Sequence, residues 1–372
     1  MGATPVTLFL CGDVMLGRGV DQILPSPGDP ELHEAYVRDA RGYVELAEEA
    51  HGRIPRRAGF AWPWGDALRM LERARPDARI LNLETGVTRS PDFAPGKAVH
   101  YRMNPGNLPS LTVAHPDVCV LSNNHVLDFG PAGLRETLAV LSDVRLRSAG
   151  AGPDAEAARR PAVVPLPGGG RLLVFAIGMR SSGIPYEWTA TDDHPGIAFV
   201  PGPSAAAASC LTDRIRQVKH PGDIVVVSVH WGANWGYDVE GDEVRFARAL
   251  IDGGADLVHG HSSHHPRPAG IHRGKLVLYG CGDFIDDYEG ITGYERYRDD
   301  LRAAYLVTLD PSTGRLTGPG ARLVLFQAHR MRLRYASGAD VEWLRDVLDA
   351  QGHDLGVKVE VGEDGSLALR AE

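Results

Sequence analysis

Five short apolar runs constrain this chain more than anything else in it. Val6–Gly12, Ile80–Leu83, Val118–Ser122, Ile224–Val229 and Ala255–His259 are rich in Val, Leu and Ile. Runs of that length with little polar alternation read as strands covered on both faces. Each one ends on a group that can ligate a cation or move a proton. The first stops at Asp13, the second at Glu84, the third at Asn123-Asn124-His125 and the fourth at His230, while the fifth leads into Gly260-His261. In open α/β sheets, ligands gather at the carboxyl ends of the strands. The five endings therefore predict one shared site.

Between these runs the pattern is helical. The spacing predicts helices over Glu31–Glu49 and Trp64–Arg75, and Pro131 opens another through about Leu141, as proline does at a first helical position. Strand 172–178 precedes a long polar loop, Met179–Ile197, and Glu243–Ile251 reads as a helix. Such βαβ alternation implies a parallel sheet. After residue 260 strands 276–282, 303–309 and 321–328 follow with little helix between them, which favours antiparallel pairing. The tail reads as a helix over Asp340–Ala350 and a hairpin, Val357–Val361 with Ser366–Leu369, turning at Glu363-Asp364-Gly365. Mixed order of this kind fits two packed sheets with helices outside. The expected division is a catalytic domain over 1–330 and a small α+β extension over 331–372.

A net charge of −9 with interspersed signs argues against a nucleic-acid face, because phosphate binding needs clustered Lys and Arg. Cys11, Cys119, Cys210 and Cys281 are scattered without a C-x-x-C pair, and three lie in strand-like runs, which suits reduced, buried thiols. No basic, apolar leader opens the sequence and no segment approaches the ~20 apolar residues that span a bilayer. The expectation is a soluble, cytoplasmic protein bound to neither membrane nor nucleic acid; the sequence leaves its oligomeric state open.

Each candidate residue has an ordinary alternative. Gly12-Asp13 alone is a common turn, and Glu84 a common solvated strand end. Asn123-Asn124 suits a helix cap as well as a neutral oxygen ligand, with His125 beside it placed for proton transfer. Asp128 could orient His125 or favour the following helix. A lone His230 is more often a core residue than a ligand. Gly260-His261-Ser262-Ser263-His264-His265-Pro266 carries three imidazoles, and Asp283, read as ending strand 276–282, could orient one of them or lie in an exposed turn. Arg180, Ser181 and Ser182 read as a polar loop. Trp188, Trp231, Trp235, Tyr237 and Tyr288 fit either core packing or a pocket wall. Recurrence at five strand ends is what raises the ligand reading.

Taken in order, Gly12-Asp13-Val14-Met15, Asn82-Leu83-Glu84, Asn123-Asn124-His125-Val126-Leu127-Asp128-Phe129-Gly130, His230-Trp231-Gly232 and Gly260-His261-x-x-His264 resemble the motifs of the CapA family. CapA is the poly-γ-glutamate capsule synthesis family, related to the calcineurin-like metallophosphoesterases. The resemblance covers roughly residues 6–330 and implies a four-layer α/β/β/α sandwich of two mixed sheets with a metal centre at the strand ends. It implies Asp13, Glu84, Asn124, His230 and His261 as metal ligands, with His264 matching a further histidine ligand and His125 the proton-transferring histidine. Met15 stands where the first motif usually has histidine. Glu84 replaces the bridging aspartate, and His261-x-x-His264 has one residue more than usual. Those departures favour one divalent ion over the usual pair.

Similar proteins also include a peptide epimerase of lasso-peptide biosynthesis. The expectation drawn from it is a metal-dependent epimerase inverting the Cα centre of a C-terminal residue in a peptide substrate. His125 and His264 would be its acid/base pair, oriented by Asp128 and Asp283, because epimerisation needs proton transfer on two faces. Oxygen-rich ligation favours Ca²⁺ or Mn²⁺; more histidine ligands would favour Zn²⁺ or Fe. The alternatives are a metal-dependent phosphoesterase and a non-catalytic protein of capsule-polymer synthesis.

Overall fold

The computed structural model describes residues 4–372. Its larger sheet is centred on Val6–Val14, with Ala78–Leu83, Val118–Val120 and Arg147–Ala149 following in parallel on one side. On the other side Leu301–Leu309 and Leu316–Ala328 run antiparallel, and the hairpin Val357–Val361 with Leu367–Ala371 continues that edge. In the smaller sheet Arg171–Met179, Ile224–His230, Leu257–His261 and Lys275–Leu278 are parallel neighbours, and Ala269–His272 returns antiparallel. Alternation along the strands then stacks the layers. Leu8, Leu10, Ile80, Val118 and Val120 point inward to meet Leu172, Val174, Ile224, Val226 and Leu257.

The opposite faces are covered by helices. Phe9, Cys11, Leu81 and Cys119 pack under Arg18–Ile23, Arg41–His51, Asp66–Ala74 and Gly130–Asp143. Leu173, Phe175, Val225 and Val227 pack under Ala205–Val218 and Gly241–Asp252. At ~1.5–3 kcal/mol per fully buried large apolar side chain, three such layers hold the strand ends rigidly in place. The order is α/β/β/α, the architecture expected from the motifs. Among the described residues no helix is long and apolar enough to cross a membrane. Cys11, Cys119 and Cys281 are buried and unpaired, and Cys210 is exposed on a helix.

Several elements differ from the expectation. The helix predicted from Glu31 begins only at Arg41. Residues 31–40 fold back on themselves instead, with Glu31 bridged to Asp39 and the Leu32 amide bonded to the Arg38 carbonyl. Glu34 is drawn inward to the Arg18 guanidinium at 3.1 Å, a contact no helical periodicity registers. Helix Ala205–Val218, begun by the Ser204 hydroxyl accepting from the Ala207 amide, was legible as a Ser cap before an alanine run and was missed.

Asp283 does not end strand 276–282. The chain leaves the smaller sheet after Leu278, crosses through Gly280-Cys281-Gly282 and enters the larger sheet as Asp283–Ile285. There Asp283 lies in register with Asp13. The crossing depends on glycine twice: Gly282 has φ of +76°, and a Cβ on Gly12 would fall 1.8 Å from the Gly282 carbonyl oxygen. Tight backbone contact brings the two aspartates together.

Candidate metal centre

Strand register builds the site. Asp13 is opposite Asn82 on one side and Asp283 on the other, and His230 is opposite His261 in the smaller sheet. Glu84 follows Ala78–Leu83, and Asn124 and His125 follow Val118–Val120. Parallel strands end on one edge, so groups distant in sequence meet there. The Asn82 amide donates to Asp13 Oδ1 at 2.7 Å and to Glu84 Oε2 at 2.8 Å. The Asn123 amide in turn donates to Asn82 Oδ1 at 2.9 Å. Asn123 is therefore a brace, and its neighbour Asn124 is the one facing the histidines.

Hydrogen bonds assign the imidazole protons. The Cys11 carbonyl, 2.9 Å from His259 Nε2, accepts its proton, which leaves His259 Nδ1 to accept from Ser228 Oγ at 3.0 Å. Ser228 Oγ then accepts from His261 Nε2 at 2.8 Å, and His261 Nδ1 is bare. On the neighbouring strand, Asn124 Oδ1 accepts from His230 Nε2 at 3.0 Å, which leaves His230 Nδ1 bare as well. The two bare nitrogens are 2.7 Å apart. Facing lone pairs repel unless a proton or a cation sits between them. Burial pushes both imidazoles well below their ordinary pKa, with nearby positive groups adding to the effect.

The carboxylates point to a cation. Asp13 Oδ1 is 3.9 Å from His261 Nδ1, and Glu84 Oε2 is 3.9 Å from His230 Nδ1. Asp13 Oδ2 and Asp283 Oδ2 are buried with no hydrogen-bond partner. Desolvation and then the Asp283 charge raise Asp13 to about 7, and desolvation followed by Asp13 pushes Glu84 well up. Buried negative charge without a partner is costly. The donor set therefore fits a divalent ion. Asp13, His230 and His261 offer ligand atoms within 4.8 Å of one another, and so do Asp13, His264 and Asp283. The sequence favoured one ion; two groupings share Asp13, and the second forms without Met15.

Two histidines also carry carboxylates. His125 Nδ1 donates to Asp128 Oδ2 at 2.6 Å, leaving Nε2 3.9 Å from Glu84 Oε1. Lys97 donates to Asp128 and to the Asn124 carbonyl, and its ammonium sits 3.3 Å from His125 Nδ1. Burial lowers His125 to about 4, and Lys97 adds to the fall against the pull of Asp128. His264 Nδ1 is 2.9 Å from Asp283 Oδ1; burial lowers its pKa, but Asp283 and then Asp13 outweigh it and leave it raised. The orienting contacts expected for Asp128 and Asp283 are both present. His264 and His261 separate because Ser262 takes φ of +104° and the His264 amide bonds to the Asn234 carbonyl, which turns the loop.

Sequence reasoning missed Asn82, Lys97, Tyr101, Ser228 and His259. Asn82 lay inside the quoted Asn82-Leu83-Glu84 motif and was legible; Lys97 comes from an irregular connection with no pattern. Tyr101 and Tyr288 share a hydroxyl–hydroxyl bond of 2.6 Å, and their rings lie against His125 and His264. The aromatics divide. Trp231 is core, packed on Phe246 and Tyr279, whereas Trp235 lies beside His264 and Trp188 beside Lys97. Ser182 bonds the His230 carbonyl at 3.1 Å and Ser181 accepts from the Gly232 amide at 3.0 Å, so that loop braces a strand end.

The structure is an α/β/β/α sandwich whose strand ends gather carboxylate, amide and imidazole groups. This chain belongs to the bacterial capsule synthesis protein family PGA_cap, whose model matches residues 7–288. It is 49% identical over 365 residues to a Mycobacterium tuberculosis protein named "Probable polyglutamine synthesis accessory protein", covering 98% of this chain and 96% of that one. It is 26% identical over 300 residues to "PGA biosynthesis protein CapA" of Bacillus subtilis, covering 79% of this chain and 66% of the relative. A solved calcineurin-like phosphoesterase of Bacillus subtilis aligns with a TM-score of 0.43 at 8% identity, over 87% of this chain and 90% of its own.

Proposed function

We propose that this protein is a cation-dependent accessory enzyme in the synthesis of a polyglutamine- or polyglutamate-type polymer. Its substrate is the amide-linked chain or a peptide of the same chemistry. The names of its relatives suggest the polymer. The observation that carries the enzymatic reading is the pair of bare nitrogens, His230 Nδ1 and His261 Nδ1, 2.7 Å apart and flanked by Asp13 and Glu84. A structural protein has little use for such a frustrated, buried arrangement. When bound, a divalent ion polarises a carbonyl or stabilises charge developing on it. Asp128 holds His125 with Nε2 free to take a proton, and Lys97 helps to keep that imidazole neutral. The test adds Mn²⁺, Zn²⁺ or Ca²⁺ to chelated protein with poly-γ-glutamate and glutamine oligomers, reading chain length and stereochemistry. A cation-dependent change that disappears in Asp13→Asn is expected. If a His125→Ala protein restores polymer fully in cells lacking the gene, the enzymatic reading is wrong.

A second reading, peptide epimerisation, is favoured by the opposed settings of His125 and His264. One imidazole is held neutral and the other is biased toward its charged form, as a base and an acid on two faces of a Cα would be. Deuterium entering one peptide Cα in heavy water tests it. Release of phosphate from aryl phosphates, with no such exchange, would point to phosphoesterase chemistry instead.

A further inference from the structure

We propose a second cation site, sharing no residue with the first, formed by His51, Glu289 and His329 and suited to Zn²⁺ or a similar transition ion. The three residues come from three separate segments: the last turn of helix Arg41–His51, the loop after Asp283–Ile285, and the turn after Leu316–Ala328. Their ligand atoms lie within 4.8 Å of one another. His51 Nδ1 is 2.5 Å from Glu289 Oε1, and the two imidazole rings are 4.6 Å apart between centroids.

A plain His51–Glu289 hydrogen bond does not account for the cluster. His329 Nδ1 is buried with no hydrogen-bond partner. The turn behind it is also strained: Arg330 and Met331 both take left-handed backbone, with φ of +62° and +51°. Consecutive left-handed residues other than glycine persist only when their surroundings hold them. Here Glu289 does so, accepting from the Arg330 amide at 2.6 Å and from the Met331 amide. Glu289, 8% exposed as a residue, thereby has its carboxylate fixed beside both imidazoles.

Charge and donor type indicate the ion. The carbonyl end of a helix, where His51 sits, favours positive charge. The Arg330 guanidinium donates to the Arg53 carbonyl, which occupies it outside the cluster. Two imidazoles and one carboxylate with open positions form a donor set that Zn²⁺ accepts, whereas Ca²⁺ and Mg²⁺ want more oxygen.

The test separates this site from the first. Full-length Asp13→Asn protein, which lacks the ligand common to both groupings of the first site, is stripped with chelator and titrated with Zn²⁺ against a chromophoric chelator, alone and combined with His329→Ala, His51→Ala or Glu289→Gln. His329→Ala and His51→Ala should each remove one zinc equivalent. Glu289→Gln keeps an oxygen for one of the two amides and loses the charge, and should weaken that equivalent by about tenfold or more. Zinc should raise the melting temperature of the Asp13→Asn chain and not of its His329→Ala double variant. Equal zinc content in all of these proteins, with equal melting shifts, overturns the proposal.

Discussion

His125 with Asp128 and His264 with Asp283 are the same pair in two settings. Both imidazoles are buried, and each has its Nδ1 within 2.9 Å of a carboxylate oxygen. Burial pushes both toward neutrality. At His264 the charges of Asp283, Asp13 and Asp286 reverse that push. At His125 the pull of Asp128 is opposed by Lys97, which shares the same carboxylate, and the imidazole falls to about 4. The contact alone does not set the proton; the third charge does. The comparison also exposes a conflict, because a cation held by Asp13, His264 and Asp283 would take up a nitrogen of His264 that proton transfer also needs. His264 can transfer protons or hold that ion, and only one of these at a time.

The largest effect expected comes from Asp13→Asn, which removes the group common to both cation groupings. Turnover should fall by about 10³-fold or more, since the ion's stabilisation of developing charge is lost. Cation content should fall in both groupings. The metal-free protein should nevertheless become more stable at neutral pH. Asp13 has its folded pKa raised to about 7, so its stabilising contribution is complete below about 4 and is lost as pH rises through 7. Removing that charge should recover roughly 2–4 kcal/mol above pH 7, by the linkage between pKa and stability. For the unaltered protein, cation affinity should weaken as pH falls through 7, because the proton competes for Asp13. Calorimetry across pH 4–8 with and without ion checks both signs; parallel curves for the two proteins would mean that Asp13 carries no such strain.

Lys97→Met breaks the comparison directly. Without the ammonium the His125 pair resembles the His264 pair, and His125 should titrate higher, with the acidic limb of the rate profile moving up alongside it. Asp128, which is fully buried, loses its ion pair, and a stability loss of about 3 kcal/mol is expected from unpairing one member of a buried bridge. Histidine proton resonances followed through a pH titration provide the measurement. A His125 signal unmoved by the change would leave burial alone as the cause that outweighs Asp128.

Most of the site was legible because it lies where parallel strands end. Asp13, Glu84, Asn124, His230 and His261 each follow an apolar run, and periodicity locates such runs well. Residues that act across the site are different. Lys97 arrives from an irregular connection, and Asp283 from a strand whose sheet changes at Gly282. No local pattern tells which sheet a three-residue strand will join, since the choice rests on the close approach of Gly12 and Gly282. The 31–40 segment failed for a related reason: Glu34 is held by the Arg18 guanidinium, and a tertiary ion pair outweighed helical spacing there. Two packed sheets with helices outside were readable from the mixed order of strands and helices, whereas the charge balance around each imidazole depends on groups that only the folded chain brings together.

His261 is the counterexample that sharpens the comparison, because it has no carboxylate behind it. A hydroxyl relay from the Cys11 carbonyl through His259 and Ser228 fixes its proton on Nε2. Ser228→Ala cuts that relay at its centre. His261 can then place its proton on Nδ1, toward His230 and Asp13, in the form that does not ligate. Loss of such an orienting partner typically costs about 10–100-fold in metal affinity, a smaller change than the two above. Turnover at saturating ion should change little, because the ligand itself is still present. The expected pattern is thus a weaker cation midpoint with a nearly unchanged plateau, read by titrating chelated Ser228→Ala protein with Mn²⁺ or Zn²⁺. A lowered plateau with an unchanged midpoint would place Ser228 on the proton path and not behind a ligand.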